Sequence, residues 1–125
     1  MKKILFLSTL FAAILFVGNV KNVNAQRNGS VTWSGTVDDV VELTIRRQNV
    51  RVRTLSGTRY NNGSYDFDGG GLNRNSDNVD VDREEGRGKV YIVQRPNRRN
   101  NYTTIVRIED KKGGPDRYRV RVKWN

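Results

Sequence analysis

Cysteine and histidine are both missing from the 125 residues, and there are only two prolines and one methionine. Without cysteine no disulfide forms, no thiol acts as nucleophile, and no lipid can be attached to an N-terminal cysteine. Without histidine, His-assisted serine chemistry and His-ligated zinc are excluded. The stability of the domain must therefore come from apolar packing and backbone hydrogen bonds.

Long apolar runs are also scarce. The one extended stretch, Ile4 to Val17, is interrupted only by Ser8 and Thr9 and follows Lys2 and Lys3. At ~1.5 Å per residue it covers roughly 21 Å, short of the roughly 30 Å hydrocarbon core of a bilayer. A polar segment, Gly18 to Asn22, leads to Val23-Asn24-Ala25. A positive start, an apolar middle and small residues at a cleavage site make up a signal peptide, so residues 1–25 are expected to be removed after Ala25. The expected product is one soluble domain, residues 26–125, exported to the periplasm or the extracellular space.

The whole chain carries 23 basic and 13 acidic residues, a formal charge of +10. Removing Lys2, Lys3 and Lys21 leaves 20 basic residues against the same 13 acidic ones, a surplus of seven. That surplus favours polyanionic partners such as acidic polysaccharide, lipid head groups or nucleic acid. It also serves solubility, since the two signs are mixed along the chain.

After Gln26 the pattern has period two. Strands are expected at Ser30–Val37, Val41–Arg46, Val50–Leu55, Asn78–Arg83, Lys89–Gln94, Tyr102–Glu109 and Arg117–Trp124, with a short extra one around Tyr65 and Phe67. Turn signals separate them: Arg47-Gln48-Asn49, Gly86-Arg87-Gly88, Arg95-Pro96-Asn97 and Gly113-Gly114-Pro115. Valine, threonine, isoleucine and tyrosine fill the runs, and no stretch after Gln26 repeats apolar residues at helical spacing. Seven or eight short strands in this rhythm predict an all-β fold, a small antiparallel β-sandwich or barrel-like sandwich. Period two assigns Trp33, Leu43, Ile45, Val50, Val52, Val79, Val81, Val90, Ile92, Val106, Ile108, Tyr118, Val120, Val122 and Trp124 to the core. Gly69-Gly70-Gly71 reads as a mobile connection, because no lysine or helix start follows to hold a phosphate.

The clearest chemical pattern is the last strand. Arg117, Arg119, Arg121 and Lys123 alternate with Tyr118, Val120, Val122 and Trp124. Side chains two apart on a strand stand about 7 Å from each other, so the four cations form a ladder on one face. Arg51 and Arg53 form a shorter ladder. If the two strands are neighbours, the cations merge into an anion-binding patch. The alternative is cross-strand pairing with Glu42, Asp80, Asp82 or Glu84 on a solvated face.

Two acidic groups suggest calcium without favouring it: Asp77–Glu85, which lacks the spacing of a known loop, and Asp66 with Asp68, beside a glycine loop able to fold around an ion. Tyr60, Tyr65 and Tyr102 lie among polar residues, as on a sugar-binding surface, or else cover the ends of the core. No carboxylate pair is marked for glycoside hydrolysis, and the chain points away from an enzyme. No metal or cofactor is expected.

Ser34-Gly35-Thr36-Val37-Asp38-Asp39, Val52-Arg53-Thr54-Leu55-Ser56-Gly57 and the stretch from Tyr102 to Trp124 resemble small secreted bacterial all-β proteins of uncharacterised function. The resemblance implies a free-standing exported β domain and carries no activity or functional residue with it. The expected role is polymer binding in the envelope or outside it. A structural protein pairing with a protein partner through strand edges is the alternative, and a small carboxylate hydrolase a distant third.

Overall fold

The computed structural model describes residues 28–60, 63–72, 78–111 and 113–125. The expected signal peptide and Asp77 lie outside them. Eight strands follow in order: β1 (Gly29–Val37), β2 (Val40–Arg46), β3 (Asn49–Ser56), β4 (Ser64–Gly69), β5 (Val79–Glu85), β6 (Lys89–Gln94), β7 (Thr104–Glu109) and β8 (Asp116–Trp124). They form two four-stranded antiparallel sheets, ordered β4-β1-β8-β5 (sheet A) and β3-β2-β7-β6 (sheet B). The two sheets are separate, so the architecture is a sandwich and not a closed barrel.

The alternating side chains meet between the sheets. Val31, Trp33 and Val37 of β1 and Tyr118, Val120, Val122 and Trp124 of β8 face Leu43, Ile45, Val106 and Ile108 of β2 and β7. These four strands are central in their sheets, which is why their inward residues are almost wholly buried. The outer strands supply a looser rim, where Phe67, Val81, Val90 and Ile92 are only partly buried.

Four local expectations need correction. Val52 points inward but remains 41% exposed, because β3 is an edge strand and no neighbour covers its flank. In the β2–β3 hairpin Asn49 pairs with Arg46, and the positive φ falls on Arg47 (55°). Strand β7 starts at Thr104 and not at Tyr102, since Asn101 and Tyr102 both adopt positive φ and cannot continue a strand. Finally, the triple glycine is tied down. The Gly70 N–H donates to Asn28 O (3.3 Å), Trp124 Nε1 donates to Gly70 O (3.0 Å), and the Leu72 N–H donates to Arg47 O (3.0 Å). These bonds hold Leu72 in the core at 2% exposure. A Cβ at Gly71 would meet Arg47 O at 2.9 Å, so the strap needs glycine to lie this close.

Candidate functional site

The outer face of sheet A carries the β8 ladder, and the register fixes its neighbours. On one side β5 sets Asp80 opposite Lys123, Asp82 opposite Arg121 and Glu85 opposite Arg119. Lys123 Nζ reaches Asp82 Oδ2 at 2.8 Å, and Arg119 Nη2 lies 3.9 Å from Glu85 Oε2. On the other side β1 presents Ser30, Thr32, Ser34 and Thr36, and beyond it β4 presents Asp66 and Asp68. Arg121 and Lys123 thus stand between two acidic rows, Arg119 borders one, and Arg117, opposite Thr36, borders neither. Adjacent strands are about 4.8 Å apart, well inside a Debye length of about 8–10 Å, so the opposite charges cancel at the scale of an approaching polymer. A depression of about 510 Å³ at one end of this face is also mixed in charge, with Asp68 and Asp80 beside Arg121 and Lys123.

Sheet B is different. Its outer face combines Arg51 and Arg53 of β3 with Glu42, Thr44 and Arg46 of β2. It continues through Ile105, Arg107 and Glu109 of β7 to Lys89 and Tyr91 of β6. Its two carboxylates are both engaged. Glu42 Oε2 accepts from Arg107 Nη2 at 3.0 Å, and Glu109 Oε1 accepts from the Tyr91 hydroxyl at 2.8 Å. The bond from Glu42, foremost, raises the Arg107 pKa above that of an ordinary guanidinium. Arg46, Arg51 and Arg53 make no ion pair among the described residues.

The positive character extends past the end of β2. Arg47 forms the hairpin turn, and the β6–β7 connection brings a 3₁₀ turn, Arg98–Asn100, to the same end. A capping box locks this turn, with the Asn97 N–H donating to Asn100 Oδ1 (2.9 Å) and the Asn100 N–H to Asn97 Oδ1 (3.1 Å). The Asn101 amide, with its oxygen toward Arg46, accepts from Arg46 Nε at 3.2 Å. Arg46, Arg47, Arg98 and Arg99 therefore gather at one corner, continuous with Arg51 on the sheet.

The candidate residues taken from sequence are accordingly split. Arg51 and Arg53 lie on the outer face of sheet B, and Arg117, Arg119, Arg121 and Lys123 on that of sheet A. Strands β3 and β8 are in different sheets, so the single merged patch does not form. Arg46, Arg47, Arg98 and Arg99 were missed. Both are Arg-Arg pairs beside turns, which is a visible signal, but only the pairing of Ile45 with Thr104 brings them together.

The second opening lies between the sheets, on the side where β3 and β4 are both edges. It is a slot of about 320 Å³, walled by Trp33, Val41, Val52 and Tyr60 with Arg53 and Arg59 at its margin. The Tyr65 hydroxyl donates to Asn49 Oδ1 at 3.0 Å and ties the two edges together. Of the three tyrosines marked in the sequence, Tyr60 and Tyr102 are half-buried and Tyr65 is exposed.

Among the described residues no three potential metal ligands converge. Asp66 and Asp68 share the outward face of β4, and Asp80 and Asp82 that of β5, where successive side chains run parallel and do not meet at one ion. Compared with known proteins, the chain matches no family model, no curated protein and no solved structure.

Proposed function

We propose that the domain is a non-enzymatic binding module of the cell envelope or its exterior. It holds an extended polyanion, such as an acidic polysaccharide or a lipid head-group layer, across the outer face of sheet B. Arg46, Arg51 and Arg53 grip anionic groups along the sheet, and the corner of Arg47, Arg98 and Arg99 extends the track. A guanidinium offers a planar fork of donors, which suits carboxylate, sulfate or phosphate equally. Tyr91 and Ile105 supply apolar surface beside the cations for the non-ionic part of a polymer repeat. The β8 ladder is assigned the other role considered for it, charge pairing on a solvated face.

One observation carries this reading: on sheet A a row of β5 carboxylates lines the ladder from Arg119 to Lys123, whereas on sheet B the two carboxylates, Glu42 and Glu109, are held by Arg107 and Tyr91 and leave Arg46, Arg51 and Arg53 without an ion pair among the described residues. The test is elution from an immobilised anionic polysaccharide such as heparin under a salt gradient. Arg51→Gln with Arg53→Gln should elute at clearly lower salt than the parent protein. Arg119→Gln with Arg121→Gln should not, because removing those cations leaves an acidic surface already turned away from the matrix. Equal retention of the parent and the Arg51/Arg53 variant would remove the proposal. Export belongs to the same reading, and N-terminal sequencing of secreted protein should start at Gln26.

A further inference from the structure

The two edges that flank the open slot are opposite in charge. Edge β3 carries Arg51 and Arg53 on its outward face, and edge β4 carries Asp66 and Asp68 on its own. Among the described residues, three of the five large apolar side chains left exposed also lie on these two strands: Val52 (41%), Leu55 (38%) and Tyr65 (43%). The other two edges are unsuited to pairing. The β5 register is broken between Arg83 and Glu85 and the β6 register between Ile92 and Gln94. Such bulges twist an edge away from partners. By contrast β4 pairs with β1 without a break over Ser64–Gly69, and β3 is regular over Asn49–Thr54 before its bulge. Each edge thus offers a regular segment of the same length.

We infer that the partner of these edges is a second copy of this chain, paired β3 to β4 in both directions as a closed twofold dimer. The topology permits it. The β1–β2 connection places the end of β3 and the start of β4 at one end of the sandwich, so the two edges run in opposite directions. A twofold axis parallel to the strands, midway between the layers, sets β3 of one copy antiparallel to β4 of the other, twice. Sheet B of each copy then continues into sheet A of its partner. Outward faces meet outward faces, which puts Arg51 and Arg53 beside the partner's Asp66 and Asp68. Inward faces also match, so Val52 and Tyr65 are covered and the two slots close on each other. Charge selects this pairing, since β3 against β3 or β4 against β4 sets like charges side by side. An isologous contact of this kind closes at two copies and does not propagate into fibres.

The experiment is sedimentation velocity of the purified protein across a concentration series, with two charge-swapped variants. The parent protein should show a monomer–dimer equilibrium. Asp66→Arg with Asp68→Arg makes both edges basic, and Arg51→Asp with Arg53→Asp makes both acidic. Each alone should dimerise at least about tenfold more weakly, because four attractive cross-strand pairs become repulsive. Mixed in equal amounts, the two should recover the dimer, because every basic edge then meets an acidic one. A parent protein that stays monomeric, swapped variants that dimerise as well as the parent, or a mixture that stays monomeric would each overturn the inference. Circular dichroism checks that the variants are folded. If either is not, Asp66→Asn with Asp68→Asn replaces it and should weaken the dimer in the same direction. Dimer and polyanion compete for Arg51 and Arg53, and the two readings fail separately: Asp66→Asn with Asp68→Asn should lose the dimer yet elute from heparin at a salt no lower than the parent.

Discussion

Arg87, in the turn between β5 and β6, grips Asp110 at the end of β7 with a two-pronged guanidinium contact. Nε lies 2.9 Å from Oδ1 and Nη2 lies 3.3 Å from Oδ2. The partners differ in environment, with 43% of the Arg87 side chain exposed and 1% of Asp110. Nη2 also donates to Gly113 O (3.0 Å) and Gly114 O (2.8 Å), so one side chain fastens the β7–β8 loop to the β5–β6 turn. The bond to Asp110, foremost, raises the Arg87 pKa above its usual range. Removing either partner should destabilise the fold, but unequally. Asp110→Ala should cost roughly 1–3 kcal/mol, for lost bonds to a guanidinium that water can still reach. Arg87→Met strands a buried carboxylate and should give the lower melting midpoint of the two. Thermal melts of the two variants check the order.

Tyr118 is buried at 1% exposure, and its hydroxyl accepts from the Gly88 N–H at 2.8 Å. Burial, the main cause, raises its phenol above the ordinary value of 10.0. The unfolded chain therefore loses this proton first as pH rises. The stabilisation is complete below about pH 10 and is lost as pH climbs through the higher folded value. Tyr118→Phe should flatten the alkaline limb of a stability–pH curve while costing about 1–2 kcal/mol at neutral pH through the orphaned Gly88 N–H. Denaturant melts between neutral pH and the alkaline range measure both effects.

Asp38 has the opposite sign. The Thr58 N–H donates to its Oδ2 at 2.8 Å, and that backbone bond lowers its pKa below 3.8. The stabilisation is present above the unfolded value and disappears as pH falls through the folded one. Asp38→Asn should therefore be less stable than the parent near neutral pH, with the difference closing in strong acid. Paired acid melts read the convergence.

Thr104 is a case where a substitution should help. Its side chain is fully buried, and its Oγ1 has no hydrogen-bond partner among the described residues. Valine has nearly the same shape and suits a strand, so Thr104→Val should stabilise by about 1 kcal/mol, or roughly 4–8 °C in Tm. An unchanged or lower midpoint would mean that the hydroxyl is satisfied after all.

Much of the architecture was readable from the chain, for identifiable reasons. Lys89–Gln94 falls on β6 without adjustment; β2 and β8 extend the expected spans by one residue at the start, and β3 by one at each end. In these strands apolar and polar residues alternate cleanly between turn residues. Segments with a less regular signal were harder to read. The strand at Ser64–Gly69 shows only Tyr65 and Phe67 as its alternation, and Leu72 stands alone after three glycines. Val37 and Val41 are core residues that the expected core omits, although the two-residue repeat sets them on the faces of Trp33 and of Leu43. Asp110 could not be recognised as buried, because its partner Arg87 is far away in sequence and carries no periodic signal.

By itself the order of residues determined that the chain folds into strands and which side of each strand turns inward. Both follow from the two-residue repeat of extended backbone, a property of near neighbours. Which strands lie side by side was decided only in three dimensions, and with it the character of every charged face. The arginines of β8 came to rest beside the carboxylates of β5, while on β3 only Arg53 faces one, Glu42, which Arg107 already holds. A cation's value for binding depends on the charges within a few ångströms of it, and those neighbours are set by strand order and register, which no local repeat encodes.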